Sequence, residues 1–155
     1  SQLLFLIGTA YIQQGKIEKG IKELKKSISL KPENVFVHSN LGNALKDLKR
    51  YDEALVSYDE ALRINPNLAD IHNNRGSILK NLKKYNEALT SYEKALQLNP
   101  NHAYAHNNKG IALVNSLTAL KHGTTFVDST IMGMGRGAGG AQRGALRLRS
   151  RDSDV

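Results

Sequence analysis

The three prolines of this 155-residue chain, Pro32, Pro66 and Pro100, are 34 residues apart. A fixed period of this length indicates an array of repeated units, each of which buries its apolar face against its neighbours. Other residue types keep the same interval. They are Gly8, Gly42, Gly76 and Gly110; Ala54 and Ala88, with Gly20 in register; Tyr58 and Tyr92; Ala61 and Ala95; and His38, His72 and His106. The period therefore constrains the fold more than any other feature of the sequence.

Each unit has the pattern of two helices. In the third unit, Ile71 and Ile78 belong to a first apolar stripe with helical spacing, and residues 85–96 carry a second one. Asn99 ends the second helix, because a residue that precedes a proline avoids the α region. Small residues, such as Gly76, are expected where the two helices cross closely.

These positions resemble the signature of the tetratricopeptide repeat (TPR) family. The matching residues are Gly42, Ala54, Tyr58, Ala61 and Pro66 in the second unit, and Gly76, Ala88, Tyr92, Ala95 and Pro100 in the third. The family often has Trp where this chain has His38, His72 and His106. Gly20 stands where Ala is usual, so we expect the first repeat to be the loosest.

The resemblance implies an all-α fold, a solenoid of helix hairpins wound into a right-handed superhelix. Three repeats are predicted at 1–34, 35–68 and 69–102. Residues 103–122 are predicted to form the first helix of a partial fourth repeat or a capping helix. Residues 123–155 are predicted to be a Gly/Arg-rich, largely irregular tail.

The family's first helices line a concave groove that binds peptides or partner helices, so the resemblance implies a protein–protein interaction scaffold. On that face, helical steps of three and four residues place the polar side chains Asn40, Asn43, Asn74, Ser77 and Asn108. A protein or peptide is the expected partner. No enzymatic activity and no cofactor are expected.

Asn40, Asn74 and Asn108 recur at one-repeat intervals and resemble the asparagine ladder in the repeat domain of O-linked N-acetylglucosamine transferase. An Asn carboxamide can pair with a peptide backbone of any sequence, because it both donates and accepts hydrogen bonds. The alternative is a solvated polar stripe kept by repeat duplication. If the ladder binds peptide, its removal should weaken binding and leave thermal stability nearly unchanged.

A different TPR class binds chaperone tails through a clamp of Lys and Arg on carboxylates. The corresponding places are held here by Ser39, Asn43, Asn74, Tyr104 and Asn108. Only the asparagines at 43 and 74 match that class, so we expect no tight clamp for a C-terminal carboxylate.

The three repeat histidines do not predict a metal site. Packed helices lie about 8–10 Å apart, whereas zinc holds nitrogen at about 2 Å. No two of the histidines can then share an ion. We expect them to replace the family's Trp, with a polar edge toward solvent.

The C-terminal part changes character. From Tyr104 to Gln142 it resembles the pyruvate-type aldolases of the DRE-TIM metallolyase family, in a motif of the form H-x-H-N-N-x-G, a strand-like "TTFVDST" and the loop "GMGRGAGG". His106 matches the second metal ligand, but Tyr104 stands in place of the first and Gly140 in place of the loop's Asn. One imidazole cannot make such a site, so the resemblance leaves only a non-catalytic remnant fused to TPRs as an alternative function.

Composition bounds the remaining possibilities. The chain has no Cys, which excludes disulfides and thiolate metal sites. The apolar run from Leu3 is too short for a membrane span, so we expect no membrane association and a cytoplasmic location. The net charge is +8, with an Arg-rich end that leaves nucleic-acid binding as a second alternative, although we do not expect it. The oligomeric state stays open.

Overall fold

The computed structural model describes residues 1–121, which form seven α-helices in three hairpins and one further helix. The helices are α1 (Gln2–Gln13), α2 (Ile17–Leu30), α3 (Val35–Asp47), α4 (Tyr51–Ile64), α5 (Ala69–Asn81), α6 (Tyr85–Leu98) and α7 (Ala103–Lys121). Helices α1, α3 and α5 are the first helices of their hairpins, and α2, α4 and α6 are the second helices. The described part contains no β-strand. The predicted all-α helix-hairpin solenoid is confirmed.

Each hairpin turns through one residue with a left-handed backbone. These residues are Gly15, Lys49 and Lys83, again 34 apart, with φ of 76°, 59° and 61°. The turn closes with two backbone hydrogen bonds beyond the helix end, from the Lys49 N–H to the Lys46 carbonyl and from the Arg50 N–H to the Leu45 carbonyl, both at 2.9 Å. Such turns satisfy carbonyls that a helix end leaves unpaired. Only the first turn uses the glycine that this conformation favours.

The two helices of the second and third hairpins cross at a contact between glycine and tyrosine. A Cβ atom built on Gly42 would lie 2.5 Å from the Tyr58 ring, and one built on Gly76 would lie 2.6 Å from the Tyr92 ring. Both rings are fully buried. The absence of a side chain on the glycine therefore makes room for the largest side chain of the hairpin core.

The helices of the first hairpin also cross closely, at Gly20. The expectation that the first repeat is the loosest is not tested by this contact and stays a prediction. A Cβ atom on Gly20 would lie 2.5 Å from Ile12 and 2.7 Å from the backbone oxygen of Gly8. Two glycines face each other there, so the backbones of α1 and α2 approach too closely for a methyl group. The glycine closes the crossing and leaves no gap.

Helix α7 is continuous from Ala103 to Lys121. These bounds lie within the range 103–122, for which the sequence predicts the first helix of a partial fourth repeat or a capping helix. The predicted strand-like stretch, the glycine-rich loop and the basic tail lie outside the described residues.

Candidate functional site

A row of amide hydrogen bonds connects successive first helices. The Nδ2 of Asn40 donates to Thr9 Oγ1 at 3.4 Å, that of Asn74 to Asn43 Oδ1 at 3.1 Å, and that of Asn108 to Ser77 Oγ at 3.4 Å. Each bond joins residues that are 31 positions apart, so one geometry is repeated three times. All five of the predicted groove residues take part in this row. The structure thus brings together the side chains of the predicted ladder along one face of α1, α3, α5 and α7, which we call the first-helix face.

Asn43 is fixed from two sides. Its Oδ1 accepts the Tyr58 hydroxyl at 2.7 Å as well as the amide of Asn74. Burial raises the pKa of the Tyr58 hydroxyl above its usual range, and the negative charge of Asp47 raises it further, so the phenol remains a donor. Because the Asn43 oxygen is occupied inside the array, its Nδ2 is the group left to donate to a ligand.

The equivalent contact is missing in the next repeat. Tyr92 corresponds to Tyr58, and Ser77 corresponds to Asn43. Ser77 has a shorter side chain, and the buried Tyr92 hydroxyl has no hydrogen-bond partner in the described part of the chain. Burial raises the pKa of Tyr92, and the nearby Ser77 hydroxyl opposes this shift although it does not reach hydrogen-bond geometry. The second repeat therefore has a complete Tyr–Asn–Asn connection, and the third has an incomplete one.

At the far end of the row, Asn108 also contacts a second amide and a lysine, and exposed aromatic rings lie at the edge of the face. The Asn108 amide also donates to Asn73 Oδ1 at 3.0 Å, and its Oδ1 accepts from Lys80 Nζ at 3.4 Å. Two aromatic side chains, Phe36 and Tyr104, are 69% and 75% exposed at the first turns of α3 and α7. The first-helix face thus offers amides along its middle and aromatic rings at one edge.

The repeat histidines have a structural role. His38, His72 and His106 each direct Nε2 at the carbonyl oxygen of the proline six residues earlier, at 2.7, 2.9 and 2.8 Å. The carbonyl can only accept, so Nε2 carries the proton in each ring. The imidazole thereby ties the first helix of a repeat to the loop that precedes it. Sequence reasoning missed this contact, although the constant six-residue spacing between proline and histidine was available as its signal.

His102 is a second residue that sequence reasoning missed. Its side chain is buried, its Nδ1 accepts the N–H of Ala105 at 3.3 Å, and its Nε2 contacts Asp70 Oδ1 at 3.0 Å. It therefore caps the N-terminus of α7 and ties that helix to α5. Its place in the repeat is that of Asn34, whose side chain accepts the N–H of Phe36 at the start of α3. That correspondence could have indicated the cap.

Within residues 1–121, no three side chains of the metal-binding types lie close enough together to hold an ion. Nor does any helix there combine the length and the apolar character needed to cross a membrane.

Helix hairpins of constant length, stacked so that equivalent side chains bond across neighbouring first helices, define a helical-repeat array. Models of the tetratricopeptide repeat match residues 8–49, 42–83, 69–102 and 91–122. The chain belongs to the tetratricopeptide repeat family, which confirms the resemblance found in the sequence.

Known proteins are similar to this array in sequence or in fold. The tetratricopeptide repeat domain-containing protein PYG7 (chloroplastic) of Arabidopsis thaliana is 31% identical over 62 residues, which are 40% of this chain and 21% of that protein. The first TPR of Spaghetti (RPAP3), solved with the HSP90 peptide SRMEEVD, superposes with a TM-score of 0.71 and 27% identity, covering 76% of this chain and 92% of that one. The first TPR domain of human RPAP3 gives a TM-score of 0.72 and 26% identity, covering 77% and 94%.

These matches bear on the metallolyase resemblance. A repeat model covers residues 91–122, and His106 bonds the Pro100 carbonyl as the other two repeat histidines bond theirs. The part of the motif that the structure describes is therefore a TPR helix, and no finding supports an aldolase remnant. The remaining part of that motif, from residue 122, lies outside the described residues.

Proposed function

We propose that the concave groove formed by the first-helix face binds an extended segment of a partner protein, with the asparagine row pairing to the segment's backbone. The observation that carries this proposal is the repeated 31-residue bond. It uses one Nδ2 hydrogen of Asn40 and one of Asn74, whereas Asn108 donates to both Ser77 and Asn73. Asn40 and Asn74 therefore keep an N–H for a ligand, and Asn108 keeps acceptor capacity at its Oδ1. Three oriented amides one repeat apart suit an extended backbone better than a single side chain.

The proposal differs from the carboxylate clamp. The Spaghetti TPR was solved with an HSP90 peptide that ends in EEVD. In this chain, Ser39, Tyr104 and Asn108 stand at the places that carry Lys or Arg in the chaperone-tail class. Lys80, which contacts Asn108, is one cation beside the row. We therefore propose a ligand that does not need a free C-terminal carboxylate.

We also propose that the protein acts as a scaffold without catalysis. Its partner is then a protein and not a nucleic acid, and it works in the cytoplasm.

The test starts from a peptide selected on the full chain from a random library and measured by fluorescence anisotropy. Replacing Asn40, Asn74 and Asn108 together with Ala should weaken binding by about 1.5–4.5 kcal/mol, if each lost hydrogen bond contributes about 0.5–1.5 kcal/mol and the losses add. Capping the peptide's C-terminus as an amide should change its affinity less than about twofold, or about 0.4 kcal/mol, because the proposed contacts do not involve a terminal carboxylate. The control variant replaces the exposed loop residues Asn67 and Asn101 with Ala.

The sequence alone predicts that the triple replacement leaves thermal stability nearly unchanged, but we expect it to lower stability. Each amide also joins two first helices, so the variant should melt at a lower temperature than the control. Binding is therefore compared well below both melting temperatures. Unchanged affinity in the triple variant, or loss of binding on amidation of the peptide, contradicts the proposal.

A further inference from the structure

The second helix of the first repeat carries a charge pattern that the other repeats lack. Helix α2 has four lysines on its solvent side, Lys19, Lys22, Lys25 and Lys26. One repeat later, the same places hold Glu53, Val56, Asp59 and Glu60, and one repeat further they hold Glu87, Thr90, Glu93 and Lys94. The hairpin fold does not require lysine at these places, since the second repeat forms its hairpin with none of them and the third with only one.

Most of the acidic side chains on α4 and α6 form ion pairs with cations of the same array. Glu53 pairs with Arg50 and Lys25, Asp59 with Arg75, Glu60 with Arg63, and Glu93 with Lys109, at distances from 2.7 to 3.3 Å. On α2, Lys25 and Lys26 pair with Glu53 and Glu23. Lys19 and Lys22 have no ion pair within the described residues. Lys19 and Lys22 are therefore two neighbouring unpaired cations on one face of α2.

A surface groove lies beside these lysines. It has a volume of about 410 Å³ and is lined by Glu18, Ile21, Lys22, Lys25, Lys26, Ser29 and Arg50. Ile21 is buried at its base, and Arg50 comes from the start of α4 and contacts Glu18 at 3.3 Å. The groove thus combines an apolar base with a rim of four cations and one anion. It is formed by α2 and the start of α4 and lies apart from the asparagine row on the first helices.

We propose that this groove, which we call the α2 groove, is a second protein-binding surface that takes a short acidic segment with an apolar side chain set among its carboxylates. Lysine side chains at three- and four-residue spacing form one stripe, and Lys19 to Lys26 covers about 10 Å along the helix. That length matches about two turns of an acidic helix or three residues of an extended chain. The apolar side chain covers Ile21, and the carboxylates meet the two unpaired lysines, Lys22 on the rim of the groove and Lys19 one turn before it.

The length and surroundings of the lysine stripe favour an acidic protein segment over other anions. A nucleic acid would continue past the stripe, and α4 beside it carries four acids against one Arg, which repels phosphates. A second copy of this chain is a poor source of the acidic segment, because most acids on α4 and α6 already pair with cations of their own array. Residues 122–155 hold five Arg and three Asp, so their composition is also net basic. The partner is therefore a different, acidic protein.

The experiment measures anisotropy of a labelled peptide, Glu-Glu-Leu-Glu-Glu-Leu-Glu-Glu with both termini blocked, on the full 155-residue chain. The variant Lys19→Glu with Lys22→Glu should weaken binding at least about tenfold at 50 mM salt, because two cations become two anions at the site. The control variant Lys84→Glu with Lys94→Glu makes the same change in net charge on the third repeat and should stay within about twofold of the unaltered chain.

Two further arms separate the proposal from its rivals. A peptide with Gln in place of every Glu should bind at least about tenfold more weakly, and a single-stranded oligonucleotide of 12 residues should not compete at equal concentration. Equal losses in both double variants show that only the overall charge matters, and that outcome overturns the proposal. Tighter binding of the oligonucleotide than of the peptide overturns it as well. Binding that persists when Asn40, Asn74 and Asn108 are replaced shows that the α2 groove is independent of the asparagine row.

Discussion

At the scale of single residues, the array is held together by polar contacts that differ slightly from one repeat to the next. Tyr58 and Tyr92 occupy the same place, but the Tyr58 hydroxyl bonds Asn43 at 2.7 Å while the Tyr92 hydroxyl has no partner in the described part of the chain. A buried hydroxyl without a partner costs free energy, because it loses its hydrogen bonds to water and gains none. The difference traces to Ser77, which is too short to do what Asn43 does.

We therefore expect Ser77→Asn to stabilise the protein. The new side chain can accept from the Tyr92 hydroxyl and from the Asn108 amide, as Asn43 accepts from Tyr58 and Asn74. A restored hydrogen bond to a buried group should increase the free energy of unfolding by about 0.5–1.5 kcal/mol. Urea unfolding followed by circular dichroism measures it. The gain should vanish when Tyr92→Phe removes the hydroxyl, and a gain of equal size in that background would contradict the explanation.

The His72 imidazole gives a stability effect that depends on pH. Burial lowers its pKa, the bond to the Pro66 carbonyl opposes this shift, and the positive charges of Lys94 and Arg75 add to the lowering. The folded protein therefore binds the proton less readily than the unfolded chain, whose His titrates at about 6.5. The contribution of His72 is fully present above that pH, and it is lost as the pH falls through the lower folded pKa.

The measurement compares the melting temperature of the unaltered protein with that of His72→Gln, which keeps an N–H donor but does not titrate. The advantage of the unaltered protein over the variant should be larger at pH 7.5 than at pH 5.5. An advantage that grows as the pH falls would reverse the sign of the argument and show that the folded state binds the proton more tightly.

At the scale of elements, each hairpin is built around one close helix crossing. Among residues 1–121 no second helix follows α7, so α7 serves as a comparison without such a crossing. Gly42 and Gly76 are covered by tyrosine rings, whereas a Cβ atom on Gly110 would meet nothing within 4 Å among residues 1–121. The three glycines share one place in the repeat, so they form an internal comparison of packing against helix propensity.

Gly76→Ala should destabilise the protein and Gly110→Ala should stabilise it. The methyl group at position 76 overlaps the Tyr92 ring, and overpacking of this kind costs about 1–3 kcal/mol. At position 110 the methyl group has space, and replacing a glycine inside a helix with alanine gains about 0.5–1 kcal/mol. Urea unfolding of both variants, with Gly42→Ala as a second buried case, tests the pair. The same sign of change at positions 76 and 110 would refute the packing role of the glycine.

The sequence predicts these elements well because their determinants are local and periodic. The interval between Pro66 and Pro100 gives the repeat, and the helical stripes give the hairpins. It does not predict the left-handed Lys49, since that conformation is usual for glycine. The partner of Asn74 could not be predicted either, because the contact depends on how far successive first helices are offset, which the packing of the whole array sets.

At the scale of the whole molecule, packing is unequal along the array. Six residues of α3 and five of α5 are buried, against Gly8 alone in α1 and Ala105 and Ala112 in α7. In repeat arrays each unit contacts only its neighbours, so stability is approximately a sum of unit and interface terms. Local opening should therefore start in the helices that bury least and reach the middle of the array last.

Hydrogen exchange of backbone amides, followed by mass spectrometry on the full chain, tests this order. We expect amides in α3, α4 and α5 to be the most protected, and those of α7 after Ala112 to exchange faster than those of α3. Every described residue after Ala112 is at least partly exposed, including Leu113 at 44% and Leu117 at 64%. Gly76→Ala should speed exchange in α4 more than in α2, because α4 packs against the altered hairpin and α2 does not. Uniform protection from α1 to α7, unchanged in its profile by Gly76→Ala, would mean that the array opens as one unit and that the nearest-neighbour picture does not apply to it.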